Sequence, residues 1–489
     1  MEKKCTLNYK IIFLLPPLNE RGSQGLLPRG IPYQTLLIAT YLKNTGYDPV
    51  IWDCFLLDIS FHKIVDKIER EDDINLLAIP LSQDNREFPI EVSIKLATLL
   101  KTKFPLKTII LYNRFPVIEK IKGIPKLQFD YVLTGDVELS FIDLLNAIVK
   151  KNKRIIDIGG LAYFEKSVLK QTSLELQLEN VDLLFFPQFS LLDMERYIEM
   201  PHRYKGRNFY YMESARGCSW GLCKYCQENF TKENRKYSFR SRSPENVVEE
   251  IKHAIKIYAA DEIQFNNPQF QTDIGWLQKF EMLLKEQNIK ISWSALSRAD
   301  CLNSSVVGIF KRTGCHNLLV GIESFKKDHL NFLDKNITEE DIVRAIENCS
   351  KFGIEVTGSF LLGLPDENIL DVIKNMSKAA KLGIDYVQIF IAKWWNEDAT
   401  KDLEGKGELK TDWDVSEYDF FGPIFVPKSY RHVRILKIAK KVAYLYFYLH
   451  PLTLWRIFKK IHDLNSFTRI LFGGIVLLKV ATINIGRKR

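Results

Sequence analysis

Ser214-Ala215-Arg216-Gly217-Cys218-Ser219-Trp220-Gly221-Leu222-Cys223-Lys224-Tyr225-Cys226 brings three cysteines into nine residues, in the spacing C-x4-C-x2-C. Thiolates this close, on a loop containing glycine, can converge on one metal centre, because soft sulfur ligands and short spacing favour iron–sulfur or zinc ligation. No fourth local ligand accompanies them: the nearest histidines are His202 and His253, and the next cysteine is Cys301. A structural zinc takes four protein ligands, whereas a three-cysteine iron–sulfur cluster leaves one iron open to a small molecule.

The rest of the chain bounds what this loop can belong to. With 489 residues the chain is too long for one ordinary core, and two or three domains are expected. Apolar residues make up 46% and charged residues 26%, a globular rather than disordered balance. Eight cysteines, three of them clustered, are few for a disulfide scaffold and point to a reducing cytoplasm. No apolar segment with a cleavage site follows Met1, so no secretory signal is expected. From residue 428 to 489 there are fourteen Lys and Arg against one acid, Asp463. That is +13 of the chain's +9, so the remainder carries −4 and is no nucleic-acid surface.

Upstream of the loop, apolar runs alternate with helical spacing. Strands are expected at Lys10 to Leu15, Pro49 to Trp52, Leu76 to Ile79, Thr108 to Leu111 and Tyr131 to Gly135. Helices are expected at Tyr33 to Thr45, Ile90 to Lys103 and Glu138 to Lys150. This order predicts a doubly wound, Rossmann-like parallel sheet that takes ligands at the carboxyl ends of its strands. Downstream, strands at Glu262 to Phe265, Ile291 to Ser294, Asn317 to Gly321, Val356 to Leu362 and Tyr386 to Phe390 alternate with helices. The first of those helices opens with Ser243 as N-cap and Pro244 in its first turn. A partial (β/α)6, TIM-like barrel follows from this order, with its chemistry at the strands' C-terminal ends.

Polar residues recur at that rim: Asn266-Asn267, Arg298, Glu323-Ser324, and Gly363-Leu364-Pro365-Asp366-Glu367. Each has a plainer reading, as a turn former, a surface ion pair or a strand breaker; their recurrence at successive strand ends is what marks a site. Cys315 and Cys349 read as small core residues. The tail, 433–485, has helical spacing broken at His450-Pro451 and Gly473-Gly474. Its longest apolar stretch, Ile470 to Leu478, is half of the ~20 residues that span a bilayer. A cap over the barrel mouth is expected, with a membrane-surface helix as the alternative.

The cysteine loop resembles that of the radical S-adenosylmethionine (SAM) superfamily, whose commonest spacing is C-x3-C-x2-C, and its surroundings resemble the variant that carries a cobalamin-binding domain in front. The barrel segments carry the resemblance further: Ala295-Leu296-Ser297-Arg298-Ala299-Asp300, Arg312-Thr313-Gly314-Cys315, Val320-Gly321-Ile322-Glu323-Ser324, Leu333-Asp334-Lys335-Asn336-Ile337-Thr338 and Ser359-Phe360-Leu361-Leu362-Gly363-Leu364-Pro365. In the first domain Pro16-Pro17, Pro32-Tyr33, Gly46-Tyr47, Asp53 and Thr134-Gly135-Asp136-Val137-Glu138 are similar to the cobalamin-binding domain. There is no Asp-x-His-x-x-Gly, and Tyr112-Asn113-Arg114-Phe115 stands where the family has a glycine loop. The resemblance implies four segments: a cobalamin-binding-like Rossmann domain (1–155), a linker (156–207), a radical SAM barrel (208–395) and a helical basic region (396–489). It implies that Cys218, Cys223 and Cys226 hold a 4Fe-4S cluster. By the same resemblance Arg298, Gly321, Glu323, Ser324 and Gly363, with Asn266 and Asn267 on the substrate side, surround SAM. The implied chemistry is cleavage of SAM to a 5′-deoxyadenosyl radical and cobalamin-dependent methyl transfer to an unactivated carbon of a small molecule or peptide. An electron donor such as flavodoxin or ferredoxin would supply the reductant. Radical cyclisation or rearrangement without methyl transfer, or a non-catalytic metal protein, are the alternatives. After the last strand the family's Thr-Pro turn is replaced by Ala392-Lys393-Trp394-Trp395, a pair suited to lining a substrate cleft or to a buried corner.

Overall fold

A computed structural model describes residues 9–17, 30–71, 73–81, 90–114, 129–166, 168–172, 178–197, 208–226, 228, 239–394, 400–410 and 424–460. Phe115, Trp395 and the tail from residue 461, with Gly473-Gly474 and the apolar stretch Ile470 to Leu478, lie outside the described residues. The chain divides into two compact units, the first built mainly from 1–179 and 183–198, the second from 199–417 and 422–489.

In the first unit the elements are β1 (Lys10–Leu15), α1 (Tyr33–Asn44), β2 (Asp48–Asp53), α2 (Phe61–Glu69), β3 (Ile74–Pro80), α3 (Ile90–Lys103), β4 (Thr108–Asn113), β5 (Tyr131–Thr134), α4 (Val137–Ile148), β6 (Leu161–Glu165) and β7 (Val168–Gln171). They form one sheet in the order β2-β1-β3-β4-β5-β6-β7. The first five strands are parallel, and β6 and β7 add antiparallel to β5. Successive side chains of a strand face opposite ways. Accordingly Ile12 and Leu14 pack with residues of α2 and α3, while Ile11 and Phe13 pack with residues of α1 and α4. Helices therefore cover both faces, as a buried parallel sheet requires. The order reverses between β1 and β3, so the ligand crevice of such a sheet opens there. Tyr112, the first residue of the segment that stands in place of the glycine loop, points into the layer below α1 and α4. It is fully buried, its hydroxyl is 2.7 Å from Thr35 Oγ1, and its ring meets Phe13 edge-on at 5.9 Å. Residues 156–207, expected as a linker, contain the two antiparallel strands β6 and β7.

The second unit contains β8 (Phe209–Met212), β9 (Ala215–Gly217), β10 (Phe239–Ser241), α5 (Pro244–Tyr258), β11 (Glu262–Phe265), α6 (Ile274–Glu286), β12 (Ser292–Arg298), α7 (Ser304–Arg312), β13 (Cys315–Glu323), α8 (Lys327–Phe332), α9 (Glu339–Lys351), β14 (Glu355–Leu362), α10 (Ile369–Leu382) and β15 (Tyr386–Ile391). After them come the hairpin β16 (Gly407–Lys410) and β17 (Ile424–Pro427), then α11 (Val433–Leu449) and α12 (Pro451–Lys459). Six parallel strands form an open sheet in the order β15-β14-β13-β12-β11-β8. Side-chain caps start the helices: Ser243, Asp273 and Asn303 each accept a backbone N–H, and Thr338 and Asn368 form capping boxes with Asp341 and Asp371. An aromatic nucleus fills the space between sheet and helices, with Phe265 4.5 Å from Phe270 and Trp293 5.2 Å from Phe310, centroid to centroid.

α11 packs along α10 and β15, with Leu436 beside Gly363 at the rim, while residues 461–485 of the tail expected to cap the barrel mouth lie outside the described residues. An edge strand carries unpaired N–H groups. Here those of Ile389 and Val387 donate to the hydroxyls of Tyr444 (3.0 Å) and Tyr448 (3.3 Å). The tyrosines' need for a hydrogen-bond partner and the strand's need for an acceptor are met together.

Gly314 enters β13 at φ 102°, and a Cβ there would stand 1.9 Å from the carbonyl oxygen of Ile291. A left-handed alanine alone costs roughly 1–2 kcal/mol, and the clash adds to it. Gly314→Ala is expected to lower the melting temperature clearly or to abolish soluble expression, whereas Gly383→Ala, where nothing lies within 4 Å, loses only the conformational term.

Candidate active site

The three cysteines lie on the loop that follows β9, at the C-terminal end of the six-stranded sheet. Gly217 (φ 83°) and Gly221 (φ 60°) bend the backbone on either side of Cys218. Three neighbours hold the loop in place. From the end of β11, Asn267 Oδ1 accepts the Ser214 N–H (3.1 Å), and Gln269 Oε1 accepts from Ser219 N (3.2 Å), Ser219 Oγ (2.8 Å) and Cys218 Sγ (3.4 Å). From the turn after α8, the carbonyl of Leu333 accepts the Lys224 N–H (3.0 Å), and that of Asp334 accepts from Trp220 Nε1 (2.7 Å). Below the loop, buried Arg216 donates to buried Glu213 (3.0 Å), while Arg242 donates to the Glu213 carbonyl (2.6 Å) and pairs with Glu250.

Burial pushes the Cys223 and Cys226 thiols up, and Cys223 raises Cys226 further, while Lys335 and Arg298 pull Cys223 back down. Cys218 also acts on both, so the three thiols share one electrostatic neighbourhood. Yet among the described residues no three His, Cys, Asp or Glu groups gather closely enough to hold a single metal ion. Ligands of one zinc must stand within about 4 Å of each other. Thiolates of a four-iron cluster bind separate irons and stand farther apart. Three soft thiol donors on one loop are the kind of ligand set that a cluster with an open iron takes.

Beside the cysteines sits a buried ion pair. Glu323 Oε1 accepts from Lys335 Nζ (2.9 Å) and from Tyr225 Oη (2.9 Å), and Ser359 Oγ lies 3.4 Å from Oε2. Both charges are at most 5% exposed. Burial opposes the charge on Lys335, but Glu323 and Cys223 raise it overall. Gly321 leaves the space this pair occupies: a Cβ would lie 2.9 Å from both Glu323 Oε1 and Lys335 Nζ. Glu323 itself is left-handed at φ 65°, next to an irregularity in the β13–β14 register. Such strain in a non-glycine residue is kept where the surroundings over-determine it, and commonly at functional sites. Arg298 donates to Asp300 (3.0 and 3.1 Å) and to the Lys335 carbonyl (2.9 Å), with its guanidinium 5.5 Å from the Trp220 ring.

Thus Arg298, Gly321 and Glu323 meet at the cysteines. Ser324 is turned away: fully buried, it bonds His329 (3.1 Å), Asn375 (3.3 Å) and the Lys326 N–H (3.1 Å). Asn267 spends its amide on Ser214 and the Gln269 carbonyl, and half-buried Asn266 donates its N–H to the Met212 carbonyl. Gly363 (φ 82°) donates its N–H to Glu367 Oε2 (2.6 Å) at the end of β14. Trp394 is a buried corner, 5.6 Å from Phe332. Sequence reasoning missed Lys335, Tyr225 and Gln269. Cys301 accepts from Gln269 Nε2 at 3.6 Å, one side chain removed from Cys218. Cys315 and Cys349 are core residues.

The radical SAM superfamily's sequence model matches residues 212–391, the stretch that carries this geometry. An uncharacterized methyltransferase of Pyrococcus horikoshii is 30% identical over 90% of this chain and 93% of its own length. The anaerobic magnesium-protoporphyrin IX monomethyl ester cyclase of Rubrivivax gelatinosus is 25% identical over 86% of this chain and 74% of its own. Among solved structures, the radical SAM methyltransferase TsrM of Kitasatospora setae, with cobalamin and a 4Fe-4S cluster bound, shares the fold at TM-score 0.66. It is 12% identical and covers 96% of this chain and 99% of that one. The cobalamin-dependent radical enzyme OxsB matches at TM-score 0.59 and 15% identity, over 78% of this chain, which spans 53% of that protein. The chain belongs to the radical SAM superfamily. It is an enzyme of the class that works with a 4Fe-4S cluster and SAM.

Two outcomes follow from the site. Lys335→Met leaves the Glu323 carboxylate buried without its counter-charge, a loss of roughly 3–5 kcal/mol. The melting temperature of the metal-free protein should fall accordingly, and largely recover in Lys335→Met/Glu323→Gln. At the rim, burial raises the Glu367 carboxyl from 4.5 to about 8 against the pull of the Gly363 and Leu364 amides. A group raised in the folded state stabilises fully below its unfolded pKa, and that stability is lost as pH rises through the folded value. Wild type should therefore melt progressively lower, relative to Glu367→Gln, as pH climbs from about 4.5 past about 8.

Proposed function

We propose that this enzyme transfers a methyl group to an unactivated carbon of a small molecule or peptide, with cobalamin as the methyl carrier. The observation that carries the reading is the pairing, in one chain, of the cysteine-bearing barrel with a separate sheet of order 2-1-3-4-5. The carboxyl-end crevice of such a sheet suits a large nucleotide-bearing ligand. Tyr112 lies folded into the core, and Gly135 (φ 93°) turns the chain sharply at the end of β5, so neither of these two puts bulk at that edge. The sequence has no Asp-x-His-x-x-Gly to offer a histidine as a lower ligand. The methyltransferase name of the Pyrococcus relative and the cobalamin in TsrM and OxsB support the same reading.

Cys218, Cys223 and Cys226 would hold the 4Fe-4S cluster, whose reduced form supplies the electron that cleaves SAM. The chain's own work is positioning and seclusion. Glu323, held by Lys335 and Tyr225, presents a fixed carboxylate for hydroxyl donors such as those of a ribose. Arg298 keeps a cation beside the cysteines. Gly321 and Gly363 let backbone approach where a side chain would intrude. Ser324, Asn266 and Asn267 would act from behind, by fixing the strand ends and the base of the cysteine loop. A flavodoxin or ferredoxin would donate the electron. The cyclase relative favours a second reading, radical ring closure without methyl transfer.

Anaerobic reconstitution should load about four irons per chain, lost in Cys218→Ala, with reductant-dependent release of 5′-deoxyadenosine or S-adenosylhomocysteine from SAM. Cobalamin bound at about one per chain, with label from methyl-labelled SAM appearing in the product, supports the carbon methyl transfer. Iron and SAM cleavage without cobalamin would favour the cyclase reading, and zinc in place of iron would overturn both.

A further inference from the structure

α11 and α12 present a second, outward face that packing of the barrel does not use. At 100° per residue, the buried side of α11 is set by Leu436, Ala439, Ala443 and Phe447. Ile438, Leu445 and Leu449 fall together in a sector of about 40° on the other side, and all three are exposed, Leu449 to 64%. α12 continues the surface with Leu452, Trp455 and Phe458, the last 68% exposed. Arg434, Lys437 and Lys441 flank the apolar sector of α11 on one side, and Lys459 Nζ stands 3.6 Å from the Trp455 ring centroid.

A row of aliphatic and aromatic side chains bordered by cations has few partners that suit both halves. Nucleic acid would satisfy the lysines and leave the aliphatic row wet. A second copy would set one basic surface against another, since residues 428–489 carry +13. An anionic lipid surface takes both: the apolar row enters the acyl boundary, Trp455 sits at headgroup level, and the basic flank meets the phosphates. The chain beyond α12 keeps this composition, with five Lys and Arg against Asp463 alone in residues 461–489. No helix among the described residues is long and apolar enough to cross a membrane, so the contact is one of lying on the surface. We infer that the outer face of α11 and α12 docks this enzyme on anionic bilayers.

Flotation of the full, reconstituted chain with vesicles tests this without any turnover. It should float with equimolar phosphatidylcholine and phosphatidylglycerol, not with phosphatidylcholine alone, and less at raised salt. Leu449→Ser/Trp455→Ser/Phe458→Ser, with iron content and circular dichroism unchanged, should bind about tenfold more weakly. Should that variant fold poorly, Lys441→Glu/Lys459→Glu tests the basic flank instead, with the same expected weakening. Absence of flotation, or flotation that neither variant diminishes, overturns the inference. So does sedimentation showing a dimer that the serine substitutions dissolve, which would assign the face to a second copy.

Discussion

Glu323 and Lys335 are opposite charges held out of water at the mouth of the barrel, and neither could remain there without the other. Their position dictates several choices around them. Residue 321 must be glycine, because a side chain would stand where the pair meets. Glu323 takes a left-handed backbone that its residue type disfavours. Tyr225, between two of the cysteines, donates its hydroxyl to the same carboxylate, so the loop is tied to β13 through the pair. The turn that carries Lys335 also supplies the carbonyls of Leu333 and Asp334 to the loop and that of Lys335 to Arg298. A loop rich in thiols is thereby held in place by its neighbours, which is what a cluster ligand set needs.

The alternation of strands and helices was legible because parallel strands are continuous apolar runs and their helices keep a clean period. β11 and α3 fall on their expected residues. α2 was overlooked although Ser60 precedes Phe61, Ile64, Val65 and Ile68 at helical spacing, so the signal existed and was simply short. β6 and β7 were missed for a different reason. They are half-exposed and antiparallel, with polar residues that look like connector until they pair.

At the site, the cysteines and the rim residues were readable from type and spacing, while their supports were not. A lysine in a sequence reads as solvated, and only the fold reveals that Lys335 is buried against a carboxylate. Gln269 is equally silent, since its value lies in reaching Ser219, Cys218 and Cys301 at once. Asn267 was placed near the ligand by its position in the motif, whereas its amide is consumed in bracing Ser214. The course of α11 along β15 depended on two tyrosine hydroxyls finding strand amides, a match that no periodicity encodes.

That last arrangement also sets an order of events at the ribosome. β15 ends at Ile391, but the tyrosines that satisfy its outer edge are Tyr444 and Tyr448. At ~5–20 residues per second the edge stays bare for roughly 3–11 s while the intervening chain is made. A nascent sheet with an open parallel edge is a template for any other strand in reach. α11 thus closes the open edge of its own catalytic domain, and a chain cut short before Tyr444 would leave a barrel still able to pair with its neighbours.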